Sequence, residues 1–183
     1  VRCVMNADGM FSRTGKAITS CPHIIEELAP IFAAYPDAVL DGELYNHDLR
    51  DDFNKIISLV RKTKPTEEDT AEAAETVQYH MYDVPSVDLD FHERSAQLRG
   101  IDVCNALEVV KTLVAYNEEE VDAHFGEFIG EGYEGGMIRV SAPYEQKRSK
   151  TLMKRKDFED MEFEIISIEE GQGNWAGLAK RVV

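Results

Sequence analysis

Apolar residues recur along this chain with two different spacings, and the switches between them divide it into elements. Val1 to Met5 and Met10 to Arg13 are short apolar-leaning runs around Asn6-Ala7-Asp8-Gly9, whose Asp-Gly pair suits a hairpin turn. Two antiparallel strands are therefore predicted to open the chain. Pro22 to Tyr35 places Ile24, Ile25, Leu28, Ile31 and Phe32 at helical spacings, with Pro30 expected to kink or divide the helix. Ala38 to Tyr45 reads as a strand. Leu49 to Val60 gathers Phe53, Ile56, Ile57 and Val60 on one helical face, and the polar stretch Lys62 to Glu75 reads as an exposed helix or a connection.

Val77 to Val84 is predicted as a strand, Phe91 to Leu98 as a helix and Leu107 to Ala115 as a further strand rich in Val and Leu. Asn117 with Glu120 resembles a capping box, and Val121, Phe125, Phe128 and Ile129 supply the buried stripe of the helix behind it. Gly132 to Val140 and Thr151 to Lys154 read as the last strands of a first unit spanning residues 1–158. Residues 159–183 read as the start of a second, all-β unit, with Phe163, Ile165 and Ile168 in a strand before the turn-rich Gly171 to Asn174. Strands interleaved irregularly with helices indicate an α+β fold rather than a parallel βαβ series.

The 183 residues, 43% of them hydrophobic, suffice for a real core and exclude disorder as the main description. Lys and Arg number 20 against 35 Asp and Glu, a net charge of −15, so indiscriminate polyanion binding is excluded and any nucleic-acid contact must use a local patch. Six of the ten residues from Lys147 to Lys156 are basic and form such a patch, a solvated face being the ordinary alternative. No apolar run approaches the roughly 18 residues of a membrane helix, so no membrane partner is expected. Cys3, Cys21 and Cys104 are odd in number and lack a Cys-x-x-Cys pair, which disfavours disulfides and structural zinc and fits a reducing compartment. Val1-Arg2-Cys3-Val4 offers neither an initiating Met nor a secretory signal, so the chain is expected to be a fragment of a cytoplasmic, non-secreted protein.

Several strand-like segments carry charges among apolar residues, an arrangement that costs stability unless those charges meet ligands or partners. They read Ser12-Arg13-Thr14-Gly15-Lys16, Asp41-Gly42-Glu43-Leu44-Tyr45, Glu134-Gly135-Gly136-Met137-Ile138-Arg139 and Leu152-Met153-Lys154-Arg155-Lys156, with the aromatic strand Tyr79-His80-Met81-Tyr82-Asp83-Val84 between them. In order and spacing these segments resemble the motifs of covalent nucleotidyltransferases, the superfamily of ATP-dependent DNA ligases, RNA ligases and mRNA capping enzymes. Ser-Arg-Thr-Gly-Lys and the run from Lys154 to Ile168 look most like the DNA ligases, above all small viral or phage-type enzymes, which implies a bacterial or phage-infected cell. The family's first motif is Lys-x-Asp-Gly-x-Arg, whose lysine becomes linked to AMP. Val1-Arg2 matches only its last two positions, so the chain as it stands is expected not to adenylylate itself.

The resemblance implies a nucleotidyltransferase domain of antiparallel sheets flanked by helices, followed by the first strands of an OB-fold. It implies that Arg2 contacts the nucleotide or nick phosphate and that Arg13 and Lys16 meet DNA phosphate, although a solvated hairpin rim is their ordinary alternative. Glu43 would take a ribose hydroxyl or help place metal, while Asp41 would only orient the strand. Tyr82 would stack on adenine, where an isolated strand tyrosine is more often core. Glu134 would serve Mg²⁺ or another divalent cation, with Gly135 and Gly136 leaving room for nucleotide, and Arg139 would pair with a nearby acid. Lys154 and Lys156, two apart on a strand, share a face and would converge on the α-phosphate with Arg155 turned away, and Arg148 would lie near the nucleotide. Cys21-Pro22-His23 reads as a helix start rather than a metal site, and Trp175 as either a stacking residue or an anchor of the β unit.

The implied activity is sealing of nicked duplex DNA with ATP as AMP donor, by a monomer. The rivals are an RNA ligase or capping-type enzyme, and a non-catalytic nucleotide-binding or interaction module.

Overall fold

The computed structural model describes residues 1–158, 162 and 164–183. Strand β1 (Arg2–Asn6) turns at Gly9, whose φ of 128° only glycine adopts freely, into β2 (Gly9–Ser12), as Asp8-Gly9 predicts. β3 (Leu40–Tyr45) pairs antiparallel with β1 on one side and β4 (Gln78–Asp83) on the other. β5 (Leu107–Val109) joins β4 in parallel, completing a five-stranded sheet in the order β2-β1-β3-β4-β5.

Strand alternation divides this sheet into an apolar face and a polar face. Cys3, Met5, Met10, Leu40, Leu44, Tyr79, Met81 and Leu107 are each at most 2% exposed and form one core. That core includes Ile24, Leu28 and Phe32 of α1 (Pro22–Ala34), Ile56, Leu59 and Val60 of α2 (Phe53–Val60), Ala73 of α3 (Glu67–Thr76) and Leu98 of α4 (Phe91–Leu98). The Tyr79 hydroxyl donates to the carbonyls of Cys3 (3.2 Å) and Leu40 (3.1 Å), so its one polar group is satisfied inside. Gly42 lies against Tyr79. A Cβ there would stand 2.6 Å from the Tyr79 ring and 2.6 Å from the His80 carbonyl oxygen.

Several expectations are refined by the structure. Pro30 leaves α1 as one helix, because Leu28 and Phe32 on either side of it are both buried in the core. α2 starts at Phe53 rather than Leu49, since the Asp52 side chain accepts the Lys55 amide as a cap. The polar stretch after Lys62 forms α3 behind a Thr66/Asp69 capping box. The strand predicted over Leu107 to Ala115 stops at Val109, with one more bond from the Val110 amide to the Met81 carbonyl (2.9 Å). β4 itself runs only two residues past Met81, to Asp83, and Pro85 beyond it has no N–H with which to extend the ladder. The parallel β4–β5 pair also departs from the wholly antiparallel sheets expected.

A second, two-stranded sheet is made by β6 (Gly135–Arg139) and β7 (Leu152–Lys156), backed by α5 (Glu118–Gly130). A third pair, β8 (Ile168–Glu170) and β9 (Ala179–Val182), forms a hairpin in the segment expected to open a second unit. Phe163 of the strand predicted before it, and residues 159–161 at the expected boundary, lie outside the described residues.

Buried ions join the first two sheets. Asp83, at 0% exposure, accepts from Arg94 Nε of α4 (2.7 Å), from Arg94 Nη2 (3.3 Å), from the Val84 amide (2.8 Å) and from Arg139 Nη1 at the end of β6. Arg94, 2% exposed, also donates to the carbonyls of Leu89 and Ala142. Burial alone would raise the Asp83 carboxyl pKa, but the Arg94 hydrogen bonds and the Arg139 charge outweigh it and hold that carboxyl below its ordinary range.

Arg94→Ala would leave a buried carboxylate short of its main partner, and we expect a loss of about 3–5 kcal/mol in urea unfolding, against little change for Arg99→Ala. A depressed folded-state pKa gives stability that is present above the unfolded carboxyl value of about 3.9 and lost as pH falls through the folded value, so acid unfolding of the parent should begin below about pH 4. Gly42→Ala should cost about 1–3 kcal/mol by forcing the Tyr79 ring and the β4 backbone away, seen in the same titration.

Candidate nucleotide and phosphate site

The polar face of the five-stranded sheet carries Arg2, Asp41, Glu43, His80 and Tyr82, which alternate with the core residues. Register sets Arg2 opposite Glu43, and Glu43 opposite His80. Asp41 does more than orient its strand. It is 1% exposed, and its two oxygens accept from Arg2 Nε (3.0 Å), Arg2 Nη2 (2.6 Å), the Tyr82 hydroxyl (3.0 Å) and the Tyr144 hydroxyl (2.9 Å). The Asp41 hydrogen bond holds the Arg2 pKa above its ordinary value, and burial with the adjoining Asp41 charge pushes the Tyr82 phenol well up. Arg2 is therefore a fixed, permanent cation, and Tyr82 a neutral donor whose ring lies 5.9 Å from the Arg139 guanidinium.

Glu43 stays half exposed on this face, between Arg2 and His80. Val1 pairs with Leu44 in the same register, so a residue preceding Val1 would lie opposite Tyr45. Beneath Glu43, burial with the nearby His47 pushes His80 down to about 4, and this imidazole is uncharged at neutral pH.

On the second sheet, Met137 pairs with Lys154 and Gly135 with Lys156, so Lys154, Lys156, Met137 and Arg139 share one face. Arg155 takes the other, over the Phe125 ring (4.4 Å) and paired with Asp122 of α5. Lys156 Nζ donates to Glu134 Oε2 at 2.7 Å, which lowers the Glu134 carboxyl pKa, and Lys154 adds to the effect. Burial raises the pKa of the Tyr45 phenol, and the neighbouring Tyr133, Glu134 and Glu43 raise it further. His47 fixes this end of the seam. Its ring lies 4.3 Å from that of Tyr133, and its nitrogens bond the Tyr45 hydroxyl (3.0 Å) and the Glu131 carbonyl (2.9 Å).

The remaining candidates stand apart from these contacts. Arg13 and Lys16 lie in a tight exposed turn closed by Ser12 N–H to the Lys16 carbonyl (2.8 Å), and Arg148 lies in the segment between β6 and β7. Among the described residues Arg13, Lys16, Arg148 and Lys154 have no ion-pair partner, whereas Lys147 is paired with Glu145. The glycines after Glu134 leave no room for a ligand. A Cβ on Gly135 would stand 2.1 Å from the Arg155 carbonyl oxygen and one on Gly136 3.3 Å from the Phe128 ring, so the space belongs to β7 and α5. Arg139 does pair with an acid, Asp83.

Sequence reading missed the hub role of Asp41 and the part played by Tyr144. An aspartate between Leu40 and Leu44 in a predicted strand was the available signal for the first, while Tyr144 sits in a polar segment with no periodicity. Met137, 54% exposed on the face of Lys154, was legible from strand alternation alone.

A family model described as the ATP dependent DNA ligase domain matches residues 5–156. The chain belongs to that family. This ligase-family chain is 25% identical over 183 residues to a DNA ligase of Haemophilus influenzae, covering 96% of the chain and 61% of that relative. It is 26% identical over 178 residues to a DNA ligase of Archaeoglobus fulgidus, covering 90% of the chain and 31% of that relative. The chain thus spans less than two thirds of either curated relative. Its fold matches a solved structure from a structure-function study of Lig E DNA ligases with a TM-score of 0.78 at 22% identity, over 100% of this chain and 68% of that one. It matches a Chlorella virus DNA ligase-adenylate with a TM-score of 0.62 at 21% identity, over 98% and 66%. These neighbours bear out the α+β nucleotidyltransferase-type fold.

Since Lys156 is the main cause of the lowered Glu134 pKa, Lys156→Met should raise the Glu134 titration midpoint toward the ordinary glutamate value, read from its side-chain carboxyl carbon by NMR. An unmoved midpoint would show that the pair does not persist in solution.

Proposed function

We propose that the intact protein is an ATP-dependent DNA ligase that seals nicks in duplex DNA through enzyme-AMP and DNA-adenylate intermediates. What supports this reading is membership of the ligase family, together with Arg2, Asp41, Glu43 and Tyr82 on the polar face of one sheet and Lys154, Lys156 and Arg139 on one face of the other, from which the Arg139 guanidinium reaches within 5.9 Å of the Tyr82 ring. In this reading a lysine upstream of Val1, in Lys-x-Asp-Gly, attacks the α-phosphate of ATP and releases pyrophosphate. AMP then passes to the 5′-phosphate of the nick, and the 3′-hydroxyl displaces it. Each step is an in-line displacement at phosphorus, for which a protein supplies positioning and charge neutralisation.

The chain's own residues divide that work. Lys154 and Lys156 hold phosphate oxygens from the β7 face, Arg2 and Arg148 do so from the opposite side and the loop, and Glu43 accepts a ribose hydroxyl. Tyr82 offers its ring to adenine while Asp41 restrains its hydroxyl, which limits how far the ring turns. Arg13 and Lys16, exposed and without ion-pair partners among the described residues, suit contact with the DNA backbone.

Among the described residues no cluster of three or more His, Cys, Asp or Glu side chains is placed to hold a metal. Glu134 and Glu43 fit the other mode of Mg²⁺ binding, one or two carboxylates with phosphate and water completing the shell. A divalent cation held there would withdraw negative charge from the phosphate oxygens. The β8–β9 hairpin exposes Ile166, Ile168, Trp175, Leu178 and Val182, and this supports reading it as part of an OB-fold that closes on duplex DNA.

The test begins with the complete coding sequence, which should carry Lys-x-Asp-Gly directly before Val1. The full-length protein should then form an AMP adduct from labelled ATP and seal all-DNA nicks in preference to all-RNA nicks. Sealing of RNA alone would overturn the DNA assignment. In calorimetry Tyr82→Ala and Glu43→Ala should each weaken AMP binding roughly tenfold, as loss of one stacking partner or one charged acceptor predicts.

A further inference from the structure

Asp41 receives four hydrogen bonds, and one donor comes from outside every motif that pointed to the site. Tyr144 lies in the segment between β6 and β7, 103 residues further along the chain than Asp41. Its hydroxyl is used in both directions, donating to Asp41 Oδ2 at 2.9 Å and accepting from Arg2 Nη2 at 3.0 Å. With the Arg2 Nη2 to Asp41 Oδ2 bond at 2.6 Å this closes a triangle, and a guanidinium held at Nε and Nη2 cannot rotate about its last torsion. Nη1 is left with no partner among the described residues, and the Arg2 side chain is 41% exposed.

The segment leading into Tyr144 is tied to α4 by hydrogen bonds. The carbonyl of Ala142 accepts from Arg94 Nη1 (3.1 Å) and from the Phe91 amide (3.1 Å), Ser141 Oγ accepts the His92 amide (3.2 Å), and the Arg94 guanidinium lies 5.8 Å from the Tyr144 ring. Burial and the adjoining Asp41 push the Tyr144 phenol up to about 12, so it remains a neutral donor at working pH. A tyrosine serving only to fill space would need no hydroxyl contact with two ionised groups, one of them the partly exposed Arg2.

We infer that Tyr144 is a positioning residue for phosphate transfer: it locks the Arg2 guanidinium against Asp41 so that the free Nη1 edge faces a phosphate oxygen of the nucleotide or the nick. The inference rests on the ligase reading above and extends it to a residue that touches no substrate.

The experiment uses the full-length protein with Tyr144→Phe, Arg2→Lys and the double variant. Two single-turnover rates are measured, AMP adduct formation and sealing of a nick already carrying 5′-AMP. Tyr144→Phe should slow at least one step roughly tenfold, the worth of one hydrogen bond to a charged group, with KM for ATP and nicked DNA within about twofold. The double variant should be no slower than Arg2→Lys alone, because Tyr144 acts through Arg2. The Arg2 Nε–H NMR resonance should also exchange faster with water in Tyr144→Phe, a signature that a space-filling role would not move and that does not depend on activity. Multiplicative rate effects, or an unchanged Arg2 resonance, would overturn the inference. A parent protein that neither takes up AMP nor seals would overturn the ligase reading instead.

Discussion

One buried carboxylate holds this fold together across its weakest junction. Asp83 ends β4 at 0% exposure and meets Arg94 from α4 and Arg139 from β6. The five-stranded sheet has its own apolar core, whereas the β6–β7 sheet leans on α5 and has most of its other face open. Without a shared hydrophobic interior, the relative placement of the two sheets falls to directed polar bonds. Those bonds are the Asp83 cluster and Tyr144 at one end and His47 against Glu131 and Tyr133 at the other. Polar seams of this kind fix geometry more sharply than apolar contact does, since ion and hydrogen-bond geometry tolerates little displacement.

That seam explains what sequence reading reached and what escaped it. Elements whose identity follows from local pattern were legible: the Asp8-Gly9 hairpin, the helices α2 and α5, the β3 and β4 strands, and the order of the charged motifs that led to the ligase family, although the stripe Val121, Phe125, Phe128 and Ile129 of α5 is only partly buried and Phe53 of α2 is exposed. What escaped was set by pairing across the chain. β5 is short because its neighbour β4 ends at Asp83 and Pro85, which its own Val-rich sequence does not reveal. Pro30 sits inside a continuous helix because tertiary burial of Leu28 and Phe32 overrides local preference. Gly135 and Gly136 looked like a space for ligand, and they are a space for Arg155 and Phe128, a distinction only the register of β6 with β7 makes visible.

The same contrast runs through the charges. A net charge of −15 describes the surface and says little about the cleft. Acids pair with Arg2, Lys55, Lys62, Lys111 and Lys156, yet among the described residues Arg13, Lys16, Arg148 and Lys154 remain without such partners. Cations left unpaired in an acidic protein retain their field for an outside anion.

The Glu134–Lys156 pair has a different consequence. The two ions neutralise each other at 2.7 Å, so in the ligase reading proposed above an arriving phosphate would take Lys156 away from a carboxylate rather than find it bare. Binding would then be an ion exchange: the ammonium would trade one oxyanion for another, and the released carboxylate would be freed for a cation as the phosphate arrives. The two events would then be linked by stoichiometry, one carboxylate released for each phosphate that Lys156 takes.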